Sequence, residues 1–182
     1  MFRDFTLPPG DRSLAGATIK GRDLIFARLS GVDLSGADLR WGVLRCCKLD
    51  GAILRGCRLS GASFQETDLR GADLRGSDLS FDSVAGSTRF DAADLSGADL
   101  RGADMGGASF RRARLVGADL REACARSSRP DHPTRFDGAD LADAQLGGAD
   151  LTGCVFDSET RFPQGFDPSE AGMIHAKDRS AS

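Results

Sequence analysis

Large apolar residues recur at every fifth position along most of the chain. The first run extends from Leu14 to Val84, the second from Phe90 to Ala125, and the third from Phe136 to Phe156. A period of five matches neither the 3.6-residue repeat of an α-helix nor the two-residue alternation of a β-strand. It is typical of a chain that turns a corner every five residues. The three runs predict 28 five-residue units, and four units per square coil make a solenoid of about seven coils.

The positions around each apolar centre support inward packing. The residue two before the centre is nearly always small, and the residue two after it is most often glycine, as at Gly31. Glycine suits a sharp corner because it adopts positive φ at little cost. Stacked coils pair at the ordinary strand spacing of about 4.8 Å, so that seven coils predict a rod of about 34 Å.

The repeated unit resembles a known signature. The sequence GADLR, found for example at residues 36–40, 71–75 and 97–101, resembles the A(D/N)LXX motif of pentapeptide-repeat proteins, in particular cyanobacterial members. The resemblance covers residues 12–162. It implies an all-β fold, the right-handed quadrilateral parallel β-helix, with residues 1–11 as an N-terminal cap.

Residues 163–182 are expected to form a C-terminal cap and a disordered tail. Asp167 suits the N-cap of a short helix and Pro168 its first position. This assignment predicts a short cap helix that includes residues 171–176, followed by disorder from Lys177 onward.

Two interruptions divide the runs. The break at residues 85–87 is interpreted as one extra residue, and residues 126–133 as a loop insertion. Because loops on rigid scaffolds often carry function, Arg126, Arg129 and His132 are candidate functional residues. The sequence Thr-Arg-Phe follows each break in register, at residues 88–90, 134–136 and 160–162, and is interpreted as a structural re-entry signal.

Charge and cysteine content narrow the function classes. The 182-residue chain has a net charge of −3, and Asp before the centre with Arg after it predicts walls that neutralise themselves. We therefore expect no direct nucleic-acid binding. No apolar stretch reaches the length of a membrane span, and the N-terminus lacks the apolar core of a signal peptide, so a cytoplasmic location is expected. Three cysteines occupy the small inward position and are expected to be buried thiols, namely Cys47, Cys57 and Cys154.

No constellation for catalysis is evident. The chain has only two histidines, His132 and His175, and neither lies near a candidate nucleophile in sequence. The cysteines lack zinc-ligand spacing, and no phosphate-binding glycine loop is present. We expect no catalytic, metal-binding or cofactor-binding residues.

One apolar cluster stands out when residues 20 apart are stacked on neighbouring coils. It occupies positions where the repeat usually exposes Gly, Arg, Ser or Asp, and it is a candidate partner surface. Its members are Ile25, Phe26, Trp41 and Val43, with Phe81 at the edge.

Two functions remain open. The first is a non-catalytic, rigid protein-interaction scaffold with an unidentified protein partner, either a monomer or a weak dimer. The second comes from the resemblance, which includes DNA-mimicking inhibitors of the type II topoisomerase DNA gyrase. The more acidic second half of the chain favours this alternative, whereas the interleaved arginines oppose it.

Overall fold

The computed structural model describes residues 12–181, so that the proposed cap at residues 1–11 lies outside the described residues. Parallel bridges join residues 20 apart, such as Ser13 to Asp33 and Asp33 to Ile53. Backbone N–H groups also donate hydrogen bonds to carbonyl groups of the next coil, for example from Leu34 N–H to Ile53 C=O at 2.7 Å. The chain is therefore a stack of coils with parallel backbone pairing, as the period of five predicted.

Each coil has four walls, and each wall has one inward-facing centre. We number the walls in chain order by the centres that stack in them. Wall 1 has residues 14, 34, 54, 74, 100, 120 and 146; wall 2 has 19, 39, 59, 79, 105, 125 and 151; wall 3 has 24, 44, 64, 90, 110, 136 and 156; wall 4 has 29, 49, 69, 95, 115, 141 and 162.

The core is built from these centres and from the small residues between them. Leucine centres such as Leu39 and Leu69 are fully buried, and alanines such as Ala37 fill the slots at the corners. Burial of one such leucine contributes roughly 1.5–3 kcal/mol. Because each coil packs only on its neighbours, stability accumulates coil by coil along the rod.

Wall 3 contains a ladder of four buried phenylalanine rings. The centroids of Phe64 and Phe90 are 4.9 Å apart, those of Phe90 and Phe110 are 5.1 Å apart, and those of Phe110 and Phe136 are 5.3 Å apart. The rings are nearly parallel, and each aromatic pair adds about 0.5–1.5 kcal/mol beyond its buried area. This ladder gives the middle of the rod a stiff internal edge.

The sequence-based register is wrong at one unit. Val84 is not a centre: its side chain is 79% exposed, at the tip of a hairpin in which Asp82 pairs with Gly86. The bridge from Ser63 to Arg89 spans 26 residues instead of 20, so the insertion adds six residues rather than one. Phe162 takes up the missing place in wall 4, and the total of about seven coils is unchanged.

The second insertion, at residues 126–133, has the same length as the first and the same position within its coil. The bridge from Ser109 to Arg135 again spans 26 residues, and both insertions leave the rod at the corner between walls 2 and 3. The threonines that follow them, Thr88 and Thr134, are fully buried. The Thr134 hydroxyl donates to the Met105 carbonyl at 2.9 Å and accepts from Gly107 N–H at 2.8 Å.

All three threonines of the Thr-Arg-Phe sequences make this pair of bonds. Thr88 bonds the Leu59 carbonyl and Gly61 N–H, and Thr160 bonds the Phe136 carbonyl and Gly138 N–H. The hydroxyl thus ties the returning chain to the coil below. The interpretation of Thr-Arg-Phe as a re-entry signal is confirmed.

The C-terminal cap differs from expectation. Residues 168–172 form turns that begin with Ser169 N–H bonding Asp167 Oδ1, and the predicted helix does not continue through residues 171–176. The chain instead forms strand β2, Ile174–His175, parallel to strand β1, Val155–Phe156. A 3-10 helix follows over Ala176–Ala181, in the segment where disorder was expected from residue 177. Gly172, with φ of 72°, ends the turns because positive φ cannot extend a right-handed helix.

Candidate functional surface

The predicted apolar cluster is only partly open. Ile25 and Val43 lie half-buried on the outer face of wall 3, on adjacent coils. Phe26 follows at the corner with wall 4, where its side chain is 62% exposed. Its φ is 64°, in the left-handed region that glycine occupies at most other corners. These three residues form an open apolar face, which we call the Phe26 face.

The Trp41 side chain is packed against its neighbours and is not freely exposed. Its ring lies beneath Lys20, whose Nζ is 3.8 Å from the ring centroid. The ring also packs at Gly61, next to Ala85 of the first insertion, because a Cβ at position 61 would meet both side chains. The Trp41 Nε1 atom is buried and has no acceptor at full hydrogen-bond geometry. The pKa of nearby Asp82 is lowered, chiefly by the Ala85 amide and next by the Trp41 N–H.

Phe81 is likewise covered. Its ring stacks on His132 of the second insertion with centroids 4.1 Å apart, and the Arg129 guanidinium lies 5.3 Å from its centroid. The second insertion therefore packs on the corner residue that precedes the first insertion. The structure separates Trp41 and Phe81 from the Phe26 face and joins Phe81 to the candidate loop.

The loop at residues 126–133 is held by local bonds and by the C-terminal segment. His132 N–H bonds the Arg129 carbonyl at 3.0 Å, and His132 Nε2 lies 3.2 Å from a carboxylate oxygen of Asp131. Arg179, from the 3-10 helix, donates to the Pro130 carbonyl at 3.1 Å. Of the predicted loop residues, Arg126 and Arg129 are exposed and His132 is half-buried.

Two open grooves flank this loop. The first, of about 540 Å³, lies between the two insertions over wall 3 and is lined by Arg89, Arg111 and Arg135 among others. The second, of about 520 Å³, lies between the loop and the C-terminal segment and is lined by Arg126 and Arg129. Sequence reasoning identified the loop arginines and missed those of wall 3. The misplaced register around Val84 concealed that Arg89 faces the same corner.

The outer face of wall 1 carries a continuous ladder of ion pairs. Asp73 and Arg75 are 2.6 Å apart on one coil, and Arg75 reaches Asp99 of the next coil at 3.3 Å. Further ion pairs between acidic and basic side chains extend this ladder in both directions along the wall. Its members are Arg55, Asp73, Arg75, Asp99, Arg101, Asp119 and Arg121. Acidic and basic groups on wall 1 are therefore paired over four coils.

These contacts lower the pKa values of the aspartates that take part in them. Hydrogen bonds from Arg75 hold the pKa of Asp73 well below its ordinary value, and those from Arg101 do the same for Asp99. On wall 2, the bidentate contact with Arg40 lowers the pKa of Asp38 to about 2. The prediction of self-neutralising walls is confirmed for these pairs.

The cysteine assignments agree with the structure. Cys47, Cys57 and Cys154 are buried in the small slots, and the Cys47 thiol donates to the Leu24 carbonyl. Burial raises the pKa of Cys47 and of Cys57 to about 11 and that of Cys154 to about 12. Cys46 is half-buried at a corner and Cys124 is exposed, and all five thiols are free.

Within residues 12–181, no cluster of three or more His, Cys, Asp or Glu side chains is arranged to hold a metal ion. In the same part of the chain, no helix has the length and apolar character needed to cross a bilayer. His132 and His175 lie apart, since the first stacks on Phe81 and the second packs edge-on against Phe156.

Comparison with solved structures finds other proteins of this architecture. HetL from the cyanobacterium Nostoc sp. strain PCC 7120, a pentapeptide repeat protein involved in heterocyst differentiation regulation, is 24% identical over 91% of this chain and 72% of its own, with a TM-score of 0.40. QnrB1, a plasmid-mediated fluoroquinolone resistance protein, is 21% identical over 92% of this chain and 91% of its own, with a TM-score of 0.47. A further pentapeptide repeat protein from Nostoc is 33% identical over 68% of this chain and 84% of its own, with a TM-score of 0.23.

All three TM-scores are below 0.5, so the roles of these proteins do not transfer to this chain. A search of curated proteins by sequence found no match. The family model for pentapeptide repeats matches in eight copies, over residues 13–45, 43–80, 88–128 and 134–157. The gaps in this match fall at the two insertions. The fold is thus the right-handed quadrilateral β-helix that the resemblance implied, and the chain belongs to the pentapeptide-repeat family.

Proposed function

We propose that this protein is a non-catalytic interaction scaffold that presents the Phe26 face to a protein partner. The observation that carries the proposal is Phe26 itself. A large aromatic residue stands at a left-handed corner with a side chain that is 62% exposed. The left-handed conformation costs an L-residue about 1–2 kcal/mol. Because the Phe26 ring is largely exposed, its burial offsets little of this cost.

The rest of wall 3 supports a binding role. Its backbone amides and carbonyls are paired between coils, so a partner would contact side chains on a rigid plane. Ile25 and Val43 extend the apolar area on that plane, and an exposed apolar area rimmed by polar residues is typical of interaction sites. Catalysis finds no comparable support, because the two histidines lie apart and the grooves beside the loop are open.

The experiment compares wild-type protein with Phe26→Gly as baits in cell lysate of the source organism, followed by cross-linking and identification of retained proteins. Val84→Ser is the matched control, because Val84 is even more exposed but lies on the hairpin of the first insertion. The proposal expects a partner that is retained by wild type and by Val84→Ser and lost by Phe26→Gly.

Unfolding measurements separate binding from folding. Phe26→Gly should leave stability unchanged or raise it by up to about 1 kcal/mol, because relief of the left-handed strain exceeds the added flexibility of glycine. A loss of more than about 1 kcal/mol would make Phe26 a structural residue and overturn the proposal. Equal retention of all partners by the three baits would overturn it as well.

Mimicry of duplex DNA toward a type II topoisomerase receives less support from the charges. Duplex DNA presents one negative charge per about 1.7 Å, whereas wall 1 alternates acidic and basic groups along its ladder. We expect no inhibition of DNA gyrase supercoiling by a large excess of this protein.

A further inference from the structure

The arginines around the second insertion differ from those of wall 1. On wall 1, each ladder arginine lies within ion-pair distance of an aspartate, as Arg75 does with Asp73. Among residues 12–181, four arginines at the insertion corner have no carboxylate within that distance. They are Arg89, Arg126, Arg129 and Arg179.

These four guanidiniums come from different parts of the chain and line the two grooves beside the second insertion. Arg89 belongs to wall 3, Arg126 and Arg129 to the loop, and Arg179 to the C-terminal 3-10 helix. Arg179 lines both grooves, so the two grooves adjoin at its side chain. Arg111 also lines the first groove.

The charge of the lining is positive even when every carboxylate is included. The two grooves together are lined by six arginines and by three aspartates, Asp91, Asp131 and Asp178. Asp91 is engaged by the Ser109 hydroxyl and by Arg111 N–H, and Asp131 faces His132. Asp137, just outside the first groove, pairs with Arg135 and lies 3.8 Å from Arg111. The lining thus has a net charge of +3 on a chain whose overall charge is −3, and an excess of +1 is left when the flanking Asp137 and Asp150, which interacts with Arg126, are also counted.

We infer that this corner, which we call the arginine corner, binds an acidic, extended segment of a protein. The site is separate from the Phe26 face, and neither proposal requires the other. The ligand groups are carboxylates, which guanidinium groups recognise through paired N–H···O bonds.

The spacing favours an extended peptide over a compact anion. Arg89 and Arg135 stand two coils apart in the same column, a separation of about 10 Å at the strand spacing. A single phosphate needs donors that converge on one point. In an extended chain, carboxylates on one face are about 7 Å apart, so several of them can pair with separate guanidiniums along the grooves, whereas Arg135 is already held by Asp137.

A nucleic acid suits the corner less well. A duplex needs a positive stripe along many phosphates, and here Asp91, Asp131 and Asp178 interrupt the lining. Both grooves are also short, because they end with the insertions and the C-terminal segment.

The binding test uses the full chain and a fluorescent ten-residue peptide that alternates aspartate and serine. Its control peptide has asparagine at each aspartate position. Fluorescence anisotropy at low salt should show binding of the acidic peptide only. Binding should weaken as NaCl rises from 50 to 500 mM, because partly exposed charges are screened.

The variant Arg89→Gln/Arg179→Gln removes one guanidinium from each side of the first groove and should weaken binding by about tenfold or more. Arg114→Gln is the matched control, since Arg114 donates to the Ser96 hydroxyl on wall 4, lines neither groove and should bind like wild type. Circular dichroism of each variant confirms that the coil stack is retained.

The inference would be overturned by no binding of the acidic peptide, equal binding of the asparagine peptide, an unchanged Kd in the double variant, or tighter binding of a 12-base-pair duplex. Full competition by inorganic phosphate at the peptide's own concentration would also refute an extended ligand. Phe26→Gly should bind the peptide normally, which keeps this test independent of the Phe26 face.

Discussion

Gly107 is a point where the second insertion and the Phe81 side chain approach the backbone of the rod closely. It is buried at the corner between walls 2 and 3, with φ of 82°. A Cβ atom at this position would lie 2.7 Å from Cβ of Phe81 and 3.0 Å from the carbonyl oxygen of His132. Gly107→Ala therefore tests both the corner conformation and the seating of the insertions.

The cost has two separable parts. The left-handed conformation of an alanine costs about 1–2 kcal/mol. Forcing the Phe81 and His132 backbones away adds about 1–3 kcal/mol, the usual penalty for overpacking. Gly102→Ala is the matched control, because Gly102 has φ of 62° and a Cβ there would meet nothing within 4 Å. It should show only the first part.

Urea denaturation followed by far-ultraviolet circular dichroism at 25 °C measures both variants. We expect Gly107→Ala to lower the free energy of unfolding by about 1–3 kcal/mol more than Gly102→Ala does. In a Phe81→Gly background, this difference should shrink, since the nearest obstructing atom is gone. Equal destabilisation by the two alanine substitutions would refute the packing of Phe81 over Gly107.

Three further outcomes follow from the structure. Thr134→Val should destabilise by about 1–3 kcal/mol, because Gly107 N–H loses its buried acceptor, whereas Thr134→Ser should keep most of the stability in the same denaturation assay. Acid titration monitored by circular dichroism should show stability fully present above about pH 4 and declining toward pH 2. The reason is that the folded-state pKa of Asp38 is depressed from 3.8 to about 2, so lowering the pH removes that contribution; a transition with its midpoint above pH 5 would contradict it. In a thiol-reagent assay on native protein at pH 8, Cys46 and Cys124 should react and the three buried thiols should not, and five reactive thiols would contradict the inward assignment.

The coil architecture could be predicted because one period governs nearly every unit. Leu69 is buried and Asp73 faces outward where the repeat places them. The register around Val84 could not be predicted in this way, because Val84 happens to fall five residues after Leu79 and is apolar. The structure shows that the chain leaves the rod after Phe81 and that Phe90 is the next centre of the stack.

The sequence predicted which residues of the candidate surface share a column, but it did not predict which of them are exposed. Stacking by 20 placed Trp41 and Phe81 at one corner correctly. It could not show that the first insertion folds back beside Trp41, or that His132 covers Phe81. Such contacts depend on how an insertion folds on the rod, and the period contains no information about that. The C-terminal segment was misassigned for the same reason, since pairing between β1 and β2 replaces the expected helix.

The two insertions suggest that this corner is a modular attachment point. Each adds six residues after wall 2 and returns through a threonine that bonds the coil below and a phenylalanine that joins the ring ladder. Because both returning bonds go to backbone groups, they place no demand on the side chains of the insertion itself. A foreign loop spliced between Ser60 and Phe64 and closed by Thr-Arg-Phe would meet the same coil geometry, so the rod can carry transplanted loops at a defined spacing.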